Sequence, residues 1–274
     1  MLSNDMKHVK HDNKMTIILT SILITLTFIA TLGGIFMNDL YQDNAQFIQV
    51  WKSNDLITLF IALPVLIGSM LYTIKKKSTF SLLIWSSMIW FLCYNYAFYV
   101  FGASFNAFYL IHLSIYTLSI LTMIFALLHF PIKNLLISKK KSVLDFIVVG
   151  ILVFLSVGLL SIYSIQSLNF AFNGVLPAII TNSGHVTSVV FSLDISMVVL
   201  FFILASVLIL KRNSWGYVIA FIALLKGVVY MMVLTYASMN TNPAEVPIWV
   251  FLGFLTLVSL VFLSVQLKKV IQTT

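Results

Sequence analysis

LITLFIALPVLIGSMLYTIKKKS, residues 56–78, carries the two signals that decide the fold. Its first 19 residues, Leu56–Ile74, are nearly all apolar, and three lysines follow at once. A helix needs about 20 apolar residues to cross the ~30 Å hydrocarbon core of a bilayer, because each residue adds ~1.5 Å. Helix is the required form, since backbone groups find no water in lipid. The stretch therefore predicts a membrane-spanning helix that ends in a lysine cluster.

The same pattern recurs along all 274 residues, of which 61% are hydrophobic and 9% charged. A soluble domain is about one quarter charged, so these charges are too few to cover a globule in water. The first apolar run is too long for a cleaved signal peptide, whose apolar region has about 7–15 residues. We predict an all-α integral membrane protein with eight transmembrane helices. The predicted spans are Met15–Met37, Leu56–Ile74, Thr79–Phe101, Phe105–Leu128, Val143–Tyr163, a sixth ending at Leu210, Trp215–Met239 and Val246–Leu267.

The positions of Lys and Arg predict the orientation of these spans. Fourteen of the 16 basic residues lie in alternate segments between spans, at 7–14, 75–77, 133–141, 211–212 and 268–269. Cytoplasmic loops carry such an excess, so both termini are predicted to be cytoplasmic. The preference for Lys over Arg favours the cytoplasmic membrane of a bacterium. Because the net charge of +8 comes from these clusters, the lipid bilayer is the expected partner, and nucleic acid is not.

The chain divides into two halves around a basic segment. We assign 1–14 to a cytoplasmic arm, 15–130 to a first four-helix half, 131–142 to a cytoplasmic linker, and 143–274 to a second half with a short tail. Asp55 and Asp194 each open the second span of their half. These matches predict two parallel repeats, with a site at the interface between them. Alternatively, the charge rule alone produces the likeness.

Tyr94 and Tyr230 extend the correspondence, since each follows a serine by sixteen residues (Ser78 and Ser214). The two serines are also good helix N-caps, which offers a local reason for their match.

Two charged residues are predicted to lie within the bilayer. The 16 residues after Asp194, up to Leu210, reach only about 24 Å, so the sixth span continues back through Asp194 towards Val186 and Thr187. Lys226 lies about eleven residues into span seven. Intramembrane charges are costly and mark functional sites. We predict an ion pair between Asp194 and Lys226. It either binds a ligand or only holds two helices together.

Other polar residues are weaker candidates. Asp55 is predicted to cap its helix at the interface, where the helix dipole favours an acid, and Pro64 to kink that helix. Asn95 and His112 share a depth with Tyr94 and Tyr230, which predicts a polar layer.

Three further expectations concern metals, cofactors and loops. No second His or Cys lies at ligand spacing, so neither a metal nor a cofactor is expected. Asp145 is predicted to be interfacial, with no assigned role. The segment 165–185 is predicted as an interfacial helix, a re-entrant cap or a loop packed on the bundle.

No motif settles an enzyme class, because a P-loop, G-x-S-x-G, H-E-x-x-H and C-x-x-C are all missing from the sequence. The first hypothesis is a small permease whose Asp194 and Lys226 bind a small molecule or ion. The second is a non-catalytic membrane subunit with a partner. The third is an intramembrane enzyme acting on lipid through Asp55, Asp194 and His112, which requires both aspartates to face one cavity.

Overall fold

The computed structural model describes residues 14–135, 137, 140 and 142–271, which are mostly helical and contain no strand. Eight helices in this part of the chain are long and apolar enough to cross a membrane. The predicted class, an all-α protein with eight candidate spans, is confirmed. The helices are α1 Lys14–Phe36, α2 Ala45–Lys76, α3 Thr79–Phe101, α4 Tyr109–Leu128, α5 Val143–Asn173, α6 Val189–Leu210, α7 Ser214–Thr241 and α8 Val246–Ile271.

Short connections make consecutive helices alternate in direction. The ends that carry Lys75–Lys77, Lys133 and Lys211 therefore lie at one end of the bundle, here called the lysine-rich end, and the other is the lysine-poor end. Of the lysines used to predict orientation, Lys7, Lys10, Lys139 and Lys141 lie outside the described residues. Which end faces the cytoplasm stays a prediction.

Helix α2 begins eleven residues before its predicted start. Asn44 is the N-cap, and its side chain accepts a hydrogen bond of 3.1 Å from the amide of Phe47. Asp55 is consequently the eleventh residue of a continuous helix and is 1% exposed. The prediction that Asp55 caps a helix at the interface is wrong, because Asn44 already supplies a cap.

The segment 165–185 forms none of the three predicted structures along its full length. Helix α5 runs ten residues past Tyr163 to Asn173 and ends at Gly174, whose φ of 70° is left-handed. A short helix, Ala178–Ser183, follows. The carbonyl of Asn182 accepts a 2.7 Å hydrogen bond from Asn44, which ties this segment to the start of α2.

Helices α3 and α7 form the centre of the bundle and pack on each other. In their most apolar stretches 83% and 61% of the residues are buried, against 22–39% in the other six spans. Each half has the same order of neighbours: first span on second, second on third, third on fourth, and first on fourth. Helix α7 also packs on α2, and α3 on the start of α6. The halves meet through their third spans, and the parallel repeat stays a prediction.

A polar cluster joins the second half at the lysine-rich end. Asp145 is 2% exposed and forms an ion pair with Arg212. It accepts hydrogen bonds from Tyr217 Oη at 2.8 Å and from the amide of Ser142 at 2.7 Å in a capping box. Gln266, with its amide nitrogen turned to Asp145, adds a fourth contact. Sequence analysis assigns no role to Asp145. In the structure, Asp145 connects α5, α7 and α8.

A glycine permits the tight connection between α6 and α7. A Cβ at Gly216 would lie 2.5 Å from the amide nitrogen of Ile209 and 2.7 Å from the carbonyl carbon of Leu208. Both atoms belong to the backbone, which does not move cheaply. We expect Gly216→Ala to lower the free energy of unfolding by about 1–3 kcal/mol, measured by denaturation in mixed micelles.

Gly150→Ala is the matched control, because nothing lies within 4 Å of a Cβ there. Alanine is also the better helix former, so stability is expected to stay equal or rise. A Gly216→Ala protein as stable as the parent would contradict the close approach.

Candidate functional site

The carboxylate of Asp194 is held by two tyrosine hydroxyls, one from each half of the chain. Tyr94 of α3 donates to one of its oxygens, and Tyr163 of α5 donates to the other. We call Asp194, Tyr94, Tyr163, Lys226 and Tyr230 the Asp194 site. The site lies between the halves, within the apolar length of the helices.

A local irregularity of α6 positions this carboxylate. Residues Ile195–Val199, immediately after Asp194, form a π-helical turn. Such a turn contains one residue more than an α-helical turn and is frequent at functional sites. A second π-helical turn, Thr58–Ala62, follows Asp55 by three residues in α2 and precedes Pro64. Asp55 and Asp194 thus each stand beside a π-helical turn.

Lys226 does not pair directly with Asp194. Its Nζ lies 3.1 Å from the ring centroid of Tyr94 and 5.4 Å from that of Tyr230. Among the described residues, the pair Arg212–Asp145 is the one with nitrogen and oxygen within 4 Å. The predicted ion pair is therefore wrong: Tyr94 bridges the two charges, with its ring under Lys226 and its hydroxyl on Asp194. Counting residues predicts the depth of a side chain but not its direction around the helix.

Aromatic rings close the Asp194 site towards the lysine-poor end. Phe98 packs edge-on against Tyr94 at 5.1 Å, and Phe191 stacks on Tyr163 at 4.3 Å. Beyond them lies a cavity of about 300 Å³. Its lining residues are Phe101, Gly102, Ala103, Ser104, Gly184, His185, Val186, Thr187 and Val189. Phe98 and Phe191 lie between the residues of this cavity and the Asp194 site along α3 and α6.

Asp55 forms a second, separate group. Its carboxylate accepts hydrogen bonds from Tyr41 Oη at 2.5 Å and from Tyr99 Oη at 3.0 Å. Tyr41 lies in the connection between α1 and α2, where burial, and secondarily the charge of Asp55, raises the pKa of its hydroxyl. Tyr41 therefore stays protonated and able to donate.

The predicted polar layer is split between the two groups. Tyr94 and Tyr230 belong to the Asp194 site, with ring centroids 4.9 Å apart. Asn95 donates to Thr58 Oγ1 at 3.4 Å, and the ring of His112 lies 4.8 Å from that of Tyr99. Successive residues of a helix point about 100° apart, so Tyr94 and Asn95 face different neighbours.

Sequence analysis missed Tyr41 and Tyr99, which both donate to Asp55, and Tyr163, which completes the pair on Asp194. A tyrosine near a membrane interface is ordinary, so nothing in the sequence distinguishes these three. Only the folded chain shows that each hydroxyl meets a carboxylate. Within the described residues, no three His, Cys, Asp or Glu side chains come together as metal ligands do.

No family model matches this chain, and neither a curated protein nor a solved structure matches it. The structure by itself defines the class: a multi-pass helical membrane protein with eight candidate spans. Within those spans, the carboxylates of Asp55 and Asp194 each accept hydrogen bonds from two tyrosines.

Proposed function

We propose that the chain is a small permease in which the Asp194 site binds the solute or a coupling proton. The observation that carries the proposal is the set of hydrogen bonds to Asp194 from both halves, by Tyr94 and Tyr163. An ionisable side chain inside the membrane is costly and is by default a functional one. Transporters built from repeats bind their substrates at the interface between the repeats.

The two hydrogen bonds of Asp194 differ in a way that suits alternating access. Tyr163 belongs to the same half as Asp194, whereas Tyr94 belongs to the other half. A rocking motion between the halves breaks the bond to Tyr94 and moves its ring away from Lys226. A solute or proton bound to the Asp194 carboxylate would therefore favour one arrangement of the halves over the other. Such a difference in affinity between two states is the thermodynamic requirement for coupled transport.

The cavity at the lysine-poor end provides the proposed route to the site. Phe98 and Phe191 close it in this structure, and their movement would connect the cavity with Asp194. Cys93 is a native reporter of that opening, because it is 1% exposed and immediately precedes Tyr94 in α3.

Asp194→Asn is expected to abolish transport while the protein still folds, because the amide cannot take up a proton or balance a cation. A library of amino acids, sugars and organic ions is screened for solutes that change the alkylation rate of Cys93 by N-ethylmaleimide. Uptake of each such solute is then measured in proteoliposomes.

Asp39→Asn is the matched control, because it makes the same change on an exposed side chain and is expected to transport normally. Wild-type uptake by Asp194→Asn would overturn the proposal.

One observation favours the alternative of a membrane subunit. Helix α5 has 31 residues, about 46 Å by the helical rise, which exceeds the ~30 Å core. Near its far end Ile165 and Phe172 are 67% and 81% exposed. A subunit would bring a stoichiometric partner through purification in mild detergent and would show no uptake by itself.

The lipid-acting enzyme is not proposed. It requires Asp55 and Asp194 to face one cavity, but in the part of the chain that the structure describes they bind different tyrosine pairs. Neither lines the cavity at the lysine-poor end or the apolar groove between α7 and α8.

A further inference from the structure

The carboxylate of Asp55 has no positive charge beside it. It is 1% exposed, and among the described residues no Lys, Arg or His nitrogen lies within 4 Å of it. An ionised carboxylate has about four acceptor positions, and the hydroxyls of Tyr41 and Tyr99 use two of them. An isolated buried carboxylate is too costly to stay ionised alone, so it takes up either a proton or a cation. Among the described residues, none supplies a cationic nitrogen within 4 Å of it.

Some buried polar atoms without a hydrogen-bond partner belong to described residues that contact Thr58 or Tyr99, the neighbours of Asp55. Asn95 lies against Thr58, one turn along α2 from Asp55, and its Oδ1 has no partner. Tyr96 stacks its ring on Tyr99 at 5.2 Å; its Oη lies near Thr27, and neither of these two hydroxyls has another partner. Both ring nitrogens of His112, whose ring lies 4.8 Å from that of Tyr99, are also unpartnered.

Native proteins rarely leave such atoms unsatisfied, and unexplained cases mark bound water or an ion. Asn95, Tyr96 and His112 are each no more than 1% exposed. Unpartnered oxygens beside Thr58 and Tyr99 would thus be neutral ligands for a cation and its waters.

We propose that the Asp55 cluster, defined as Asp55, Tyr41, Tyr99, Thr58 and Asn95, binds one small monovalent cation, Na⁺ or K⁺, together with water. One carboxylate balances one positive charge. Carboxylate, amide and hydroxyl oxygens are the ligands of hard cations.

Gly34 packs closely on this group, because an added Cβ there would collide with the Asp55 carboxylate and the Tyr41 hydroxyl. We therefore expect an organic cation to be too large for the Asp55 cluster. The proposal of a cation site does not depend on the proposal of a permease. If the chain is a permease, the cation bound at the Asp55 cluster is its coupling ion.

Thermal unfolding in detergent tests the site on the whole chain. NaCl, KCl and choline chloride are compared at constant ionic strength, so that only the identity of the cation changes. A cation that binds the folded state alone is expected to raise the Tm by about 3 °C for each tenfold increase above its dissociation constant. Choline, which is too large, is expected to have no such effect.

Two aspartate variants separate this site from the Asp194 site. Asp55→Asn is expected to lose the dependence on Na⁺ or K⁺, whereas Asp194→Asn, with an equivalent pair of tyrosines, keeps it. If Asp55→Asn does not fold, Thr58→Val removes one oxygen at nearly constant shape and is expected to shift the effect to higher cation concentration.

Equal Tm values in NaCl, KCl and choline chloride would overturn the proposal, as would an unchanged cation effect in Asp55→Asn. Failure of the permease is distinguishable, because normal uptake by Asp194→Asn leaves the cation effect on Tm in place. Conversely, if the Tm does not depend on the cation but Asp194→Asn loses uptake, only the proposal of a cation site is wrong.

Discussion

Asp145→Ala is expected to lower the free energy of unfolding by about 3–5 kcal/mol, because it removes the buried acceptor of an ion pair and of two further hydrogen bonds. Asp145 is 2% exposed and accepts from Arg212, Tyr217 and the amide of Ser142. These contacts hold α5 and α7 together at the lysine-rich end. The measurement is denaturation in mixed micelles, followed by tryptophan fluorescence.

Three comparisons isolate the cause of that loss. Asp39→Ala removes an exposed carboxylate and is expected to change stability by no more than about 0.5 kcal/mol. Tyr217→Phe removes two hydrogen bonds to charged groups, one donated to Asp145 and one accepted from Arg212, with a loss of about 1.5–3 kcal/mol for each. The double variant Asp145→Leu/Arg212→Met is expected to recover most of the stability, since apolar replacement of a whole pair is often neutral. An Asp145→Ala protein within 1 kcal/mol of the parent would refute the structural role.

Tyr94→Leu is expected to lower the free energy of unfolding by about 4 kcal/mol, from the loss of a hydrogen bond to a carboxylate (about 1.5–3) and of a desolvated cation–π contact (about 2). Tyr94 makes both contacts at once, through its hydroxyl on Asp194 and its ring face 3.1 Å from Lys226 Nζ. Tyr94→Phe keeps the ring and is expected to lose about half as much. The same denaturation measurement reads both changes.

Tyr163→Phe is the matched control, because it removes the other hydroxyl from Asp194 while Lys226 keeps its ring contact. It is expected to resemble Tyr94→Phe. Lys226→Met should then be costly in the parent and nearly free in Tyr94→Leu, a coupling that a double-mutant cycle measures. Equal stabilities for Tyr94→Leu and Tyr94→Phe would show that Lys226 gains nothing from the ring.

The membrane class and the number of candidate spans were predictable from the sequence because lipid imposes a length and a composition on each helix. The depth of Asp194 followed in the same way, since the 16 residues after it are too few to cross the core. Helix ends were less predictable. The polar stretch before Leu56 is helical because Asn44 caps it, and capping depends on a local hydrogen bond rather than on hydropathy.

By itself, the sequence determined that this chain spans the membrane and that Asp194 and Lys226 lie within the apolar length, because both follow from additive properties of consecutive residues. The burial of Asp55 inside α2 did not follow from them. Only the tertiary structure decided the partners of those charges. Tyr94 and Asn95 are neighbours in sequence, yet one reaches Asp194 and the other Thr58. A partner depends on the rotation of each helix and on which helices meet, and these are set by the packing of all eight spans together.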